Sequence, residues 1–128
     1  MSTVLMFVNG QAMSGGSLND ALSEAELVGP AATAARYRFY SVRDEFPGLY
    51  PVESDGHTVR GELYRVSYRV LRDRLLPREP EELELSVIEL DDGSGCLSMQ
   101  LRDRYVSARG VTDISRIGDW RVYTGSPT

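Results

Sequence analysis

Four glutamates, Glu79, Glu81, Glu82 and Glu84, crowd into one short stretch of this sequence. A carboxyl held in a partly apolar pocket binds its proton more tightly and can serve as a general acid or base. Left in water, the same cluster is a solvated acidic loop. The second chemistry-bearing stretch is Val8-Asn9-Gly10-Gln11-Ala12-Met13-Ser14-Gly15-Gly16-Ser17-Leu18-Asn19. An apolar run of strand length enters it and a helix-start signal closes it. Glycine lets backbone approach a bound group closely, and a helix start offers free N–H groups with partial positive charge. Strand, glycine-rich loop and helix start could therefore hold an anion. The same residues also suit a tight strand-to-helix connection with no ligand. Arg121 could grip a small carboxylate through both arms of its guanidinium. Asp44, Glu45, Tyr50, Trp120 and Tyr123 are the remaining polar or amphipathic candidates, although Trp120 and Tyr123 also suit a core near a chain end.

His57, the only histidine, follows Ser54-Asp55-Gly56. It could act as an acid or base near neutral pH, but it reads more simply as an exposed turn residue, with no second histidine and no orienting partner nearby in sequence. One histidine and one cysteine argue against a zinc site, and no metal or cofactor is expected. Cys96 lies inside a predicted strand and reads as a small buried residue rather than a nucleophile. All fourteen basic residues are arginine, which excludes Schiff-base chemistry on a lysine.

At 128 residues the chain is expected to form one domain, residues 1–128, with a core that needs no staples. Its net charge of −5 argues against a nucleic-acid or membrane-surface binder. A single cysteine permits no internal disulfide and suits a reducing compartment. The first apolar run is too short for a signal or spanning helix, so a cytoplasmic location is expected.

The elements that must position these groups follow from periodicity. Residues 4–8 are a continuous apolar run and predict a buried strand. Ser17 with Asp20 has helix-cap spacing, and Leu18, Leu22 and Ala25 share a face, predicting a helix ended by Gly29-Pro30. Residues 36–42 alternate as a strand, Arg43-Asp44-Glu45-Phe46-Pro47-Gly48 reads as a turn, and residues 49–52 as a short edge piece. Residues 58–66 predict a strand with Gly61 as a bulge or close-approach point. Residues 68–76 predict a helix stopped by Pro77 and Pro80. Residues 83–90 and 95–101 predict a hairpin around Asp91-Asp92-Gly93-Ser94. The last part predicts a short helix and then an extended segment. About six strands and two or three helices indicate an α+β fold or a small barrel with helical cover.

The glycine-rich stretch resembles the start of the C-terminal domain of allophanate hydrolases, within the gamma-glutamylcyclotransferase-like superfamily. Pro47-Gly48-Leu49, Gly61-Glu62-Leu63-Tyr64, and the ending Asp113-Ile114-Ser115 through Gly118-Asp119-Trp120-Arg121-Val122-Tyr123 match in the same order. The resemblance implies a mixed, barrel-like sheet with flanking helices and the first loop at the mouth of a small pocket. It implies substrate contacts from Asn9, Gly10, Gln11, Ala12, Met13, Ser14 and Gly15, to which Arg121, by its own chemistry, could add a second anion contact. The catalytic glutamate of the cyclotransferases falls on Glu79, or on Glu82. The cyclotransferase tyrosine position is Asn9, and the loop histidine of the allophanate hydrolase domain falls on Ala12.

Two functions follow as expectations. One is a small-molecule-binding domain, a lyase, hydrolase or cyclotransferase-like enzyme acting on a small carboxylated amide or carbamate in nitrogen metabolism. The other is a non-catalytic accessory domain that docks onto a separate amidase chain or onto itself.

Overall fold

The computed structural model describes residues 2–125. Eight strands form one sheet: β1 (Thr3–Val8), β2 (Glu26–Ala32), β3 (Tyr37–Val42), β4 (Phe46–Pro51), β5 (Arg60–Ser67), β6 (Leu83–Glu89), β7 (Gly95–Leu101) and β8 (Val111–Asp113). The order is β2-β5-β1-β7-β4-β3-β8, with β6 on the other edge of β7. β7 runs parallel to both β1 and β4, and the remaining pairs are antiparallel. The fold is α+β, a curled, half-barrel sheet with few helices. The apolar faces of β1, β3 and β5 meet in the core, where Met6, Phe7, Phe39 and Val66 are fully buried.

One feature of this topology makes a cavity. β6 covers one edge of β7 along its length, from Leu83 opposite Leu101 to Glu89 opposite Gly95. The other edge is shared. β1 pairs with Leu97 and Ser98, and β4 joins only at Gln100. β1 therefore leaves the sheet just where β4 enters it, and the gap between them opens beside the glycine-rich loop. A parallel sheet commonly holds its ligand where neighbouring strands part in this way.

Several expected elements take other forms. The helix expected after Ser17 is a single 3-10 turn, Asn19–Leu22, with Leu18 at its start and no side-chain cap. Its apolar face still turns inward, since Ala21 and Leu22 are buried, but Glu26 onwards pairs with β5. Gly29-Pro30 thus lie within β2. The register shifts between Leu27 and Gly29, which the glycine permits with φ +148°. Pro30 is tolerated because β2 is an edge strand. Phe46-Pro47-Gly48 belong to β4, not to a turn. The reversal falls earlier, at Arg43 and Asp44, with φ of 53° and 57°. There the Asp44 N–H donates to Ser41 Oγ, whose hydroxyl donates back to the Asp44 carboxylate. The ending is also reversed from expectation: extended β8 comes first, then helix α2 (Trp120–Thr124). Asp119 caps α2 by accepting from the Val122 N–H, and Gly125 closes it in the left-handed region.

The helix expected over residues 68–76 is present as a mixed run. It begins as α1 (Tyr68–Val70), capped by Ser67, widens to a π turn over Leu71–Leu75, and tightens to a 3-10 turn over Leu76–Arg78. Pro77 sits in the first turn of that last piece, where a missing N–H costs nothing. The β6–β7 hairpin forms as expected, with Gly93 at φ +87°. No helix among the described residues is long and apolar enough to cross a membrane.

Gly61 is a close-approach point rather than a bulge. Pairing of β2 with β5 runs through it without a slip, Ala31 lying opposite, and a Cβ there would lie 2.3 Å from Val8 O and 2.7 Å from Phe7 Cζ. Gly61→Ala must displace backbone or a packed ring, and a loss of about 1–3 kcal/mol is expected. Urea unfolding measures this, and a midpoint equal to that of the parent would disprove the contact.

Candidate functional site

The sequence around Glu79 determines where its carboxyl points. Pro80 disfavours a helical conformation for the residue before it, and Glu79 is extended, with φ −76° and ψ 145°. The helical run ends there, with the Glu79 N–H bonded to Leu76 O at 3.1 Å. The side chain enters the gap between β1 and β4.

That gap is a small cavity of about 30 Å³ that opens to solvent at its mouth. Residues 6–12, Leu18, Phe46, Pro47, Glu79, Leu83, Ser98 and Met99 line it. The wall is mostly apolar, and among the described residues Glu79 is its only titratable side chain. Burial pushes the Glu79 carboxyl up to about 7, because no cation stands against it. A carboxyl with that affinity exchanges its proton at neutral pH.

The loop over the cavity is tied down from behind. Glu62, buried on β5, accepts from the Ser14 N–H and from the Ser14 hydroxyl, each at 2.7 Å. Arg121 of α2 donates to Ser14 O at 2.6 Å and reaches Glu62 at 3.3 Å. Burial would raise the Glu62 carboxyl, but the Ser14 donors and the Arg121 charge outweigh it and hold it below its ordinary value. Asn19 donates to Ala12 O and to Tyr64 Oη, and Gln11 Nε2 donates to Glu45 O at 2.6 Å. The loop carbonyls of Gly10, Gln11 and Met13 accept from N–H groups within the loop and at its end. The N–H groups of Gln11 and Ala12 find no protein acceptor among the described residues. Gly10 packs so closely on Pro47 that a Cβ would lie 2.4 Å from the proline ring.

The expected site residues divide into two groups. Glu79, Asn9, Gly10, Gln11 and Ala12 line the cavity. Met13, Ser14, Gly15 and Arg121 line an adjoining groove together with Asp44, Glu45 and Trp120, and Gly10 and Gln11 border both. Glu82 lies outside both and pairs with Arg43 at 2.8 Å, which holds its carboxyl below the ordinary value. His57 lies in a shallow hollow with Arg38, Asp55 and Arg116, away from the cavity. Tyr123 donates to Asp44 and so joins α2 to the β3–β4 turn. Cys96 is buried, and burial pushes its thiol up to about 11. Sequence reasoning missed Glu62. The signal was there, since Glu62 shares a strand face with Tyr64 and Val66, which predicts a carboxylate turned inward.

Comparison with known proteins identifies the fold and the family. A uropathogenic Escherichia coli-specific protein has the same fold, with TM-score 0.91, 33% identity and 98% of each chain covered. Kluyveromyces lactis allophanate hydrolase matches with TM-score 0.90 and 24% identity, over 98% of this chain but 21% of that one. An AIG2-like protein from Mus musculus matches more distantly, with TM-score 0.63, 20% identity and 84% of each chain covered. A search of the curated proteins finds no match. The family model described as the allophanate hydrolase C-terminal domain matches residues 4–125. That span takes in the cavity loop, both tethers behind it and Glu79, and the chain belongs to the allophanate hydrolase C-terminal domain family.

Proposed function

We propose that the chain binds a small carboxylated amide or carbamate in the cavity between β1 and β4, in urea- or allophanate-type metabolism, and that Glu79 is its acid or base. One observation carries this reading: Glu79 is a carboxyl on an apolar cavity wall, poised at about 7 with no ion partner. Asn9 and Ala12 bring no reactive side chain to the loop, so proton transfer falls to Glu79. The free N–H groups of Gln11 and Ala12 suit a developing or resident negative charge. Met13, Ser14, Gly15 and Arg121 serve the ligand through the loop they hold. The 1–128 chain acts as one such domain. A panel of small carbamates and N-carboxylated amides tests the reading. At least one should raise the melting temperature, since ligand at 100 times its dissociation constant stabilises by about 2.7 kcal/mol. Turnover should change with a pH limb near 7. A panel that neither stabilises the protein nor is consumed would refute it.

A second reading, an accessory domain, draws on the outer face of β6, where Leu85 and Val87 are 40% and 71% exposed. The same fold makes up about a fifth of the longer yeast enzyme. Sedimentation of the chain alone and mixed with an allophanate-splitting amidase tests this. An independent monomer in both runs would remove it.

A further inference from the structure

Asn9 lies where β1 gives way to the cavity loop. It is 9% exposed, and its Nδ2 has no hydrogen-bond partner among the described residues. A buried amide donor without an acceptor is rare, because it gives up water for nothing. Neighbouring buried polar groups are satisfied: Ser98 Oγ donates to Phe7 O at 2.9 Å, and Glu62 is held by Ser14 and Arg121. Asn9 is among the residues that line the cavity, and its Nδ2 is closed off from water. Among the described residues Glu79 is the charge-bearing group on the same wall, and no arginine or histidine contributes to it.

Resting on the reading of this cavity as a ligand site, we propose that Asn9 sets the ligand class: the cavity takes an uncharged carboxamide or ureido end, whose carbonyl accepts from Asn9 Nδ2 and whose N–H donates to the Glu79 carboxylate. A carboxylate end would bring a second negative charge beside Glu79 in an apolar enclosure without a counter-cation. An amide end carries one acceptor and a donor, and so complements a donor and an acceptor on the wall. A carboxylate elsewhere on the same molecule then lies at the open mouth. Nδ2 is closed off from water in the free protein, so the Asn9 amide turns toward the cavity to meet the ligand carbonyl, and no water need be stripped from it.

Isotope-labelled protein at pH 8, titrated with propionamide and with propionate, tests this assignment. The two probes have nearly the same size and differ in charge. Propionamide should shift the amide signals of Gly10, Gln11 and Ala12 saturably, and propionate should bind at least about tenfold more weakly. Asn9→Leu keeps the side-chain size and removes the orphaned donor. It should weaken propionamide about tenfold and raise the melting temperature of the free protein. A merely structural asparagine would lower that temperature when replaced. Asn9→Ala serves for the binding comparison if the leucine variant does not fold. Equal binding of the two probes, or unchanged propionamide binding by the variant, overturns the assignment and leaves the cavity standing as a ligand site. No shift with either probe overturns both.

Discussion

Glu79→Gln is expected to lower turnover of any processed substrate by roughly 10²–10⁴, the range for a positioned acid or base. Glu82→Gln should stay within a few-fold of the parent, because Glu82 is engaged by Arg43 outside the cavity. The same variant has a signature in stability that needs no substrate. The Glu79 carboxyl moves from its ordinary 4.5 to about 7 on folding. Between those pH values the folded chain holds a proton that the unfolded chain has lost. Stability from this group is therefore full below pH 4.5, falls as pH rises to about 7, and is level above. The loss across that window is about 3 kcal/mol at most. Urea unfolding at pH 5 and pH 8 should show a component of that sign in the parent and lack it in Glu79→Gln. Equal pH dependence in both would mean that the carboxyl is not buried as described.

Glu62→Ala is expected to destabilise the fold by about 2–4 kcal/mol, and to loosen the cavity loop more than the rest of the chain. The substitution leaves the Ser14 N–H and hydroxyl without their acceptor and removes the anion facing Arg121. Glu62→Gln keeps an acceptor but loses the charge, so it should recover part of the loss. Hydrogen exchange separates the local effect from the global one. Amides of residues 12–18 should exchange faster in Glu62→Ala than the shift in overall stability accounts for. Uniform acceleration across the sheet would show that Glu62 supports the core in general and not this loop.

Both predictions concern residues whose roles were unevenly visible in the sequence. Glu79 stood among four similar glutamates, and nothing in residue type or spacing separated it from Glu82. Pro80 and the end of the helical run separated them in space, one facing the cavity and the other facing Arg43. Glu62 sat on an alternating strand whose inward face was readable, but its partners, Ser14 and Arg121, are 48 and 59 positions away. Local pattern also misjudged residues 18–27 and 46–48. Helix propensity in the first stretch yielded a single 3-10 turn before residues 26 onward paired with β5, and the turn propensity of 46–48 was outweighed by pairing with β3.

By itself the sequence determined the strand-forming runs of β1, β3, β5, β6 and β7, the hairpin at Gly93, the glycine-rich loop and the family likeness. These rest on short-range physics: side-chain period, turn chemistry and backbone freedom are all written in neighbouring residues. Only the tertiary structure decided that β1 and β4 share one edge of β7, that the resulting gap is a cavity, and which glutamate enters it. Those outcomes depend on contacts between residues far apart in the chain. The proton affinity of Glu79 depends on them too, since a carboxyl is desolvated by whatever packs around it and not by its neighbours in sequence.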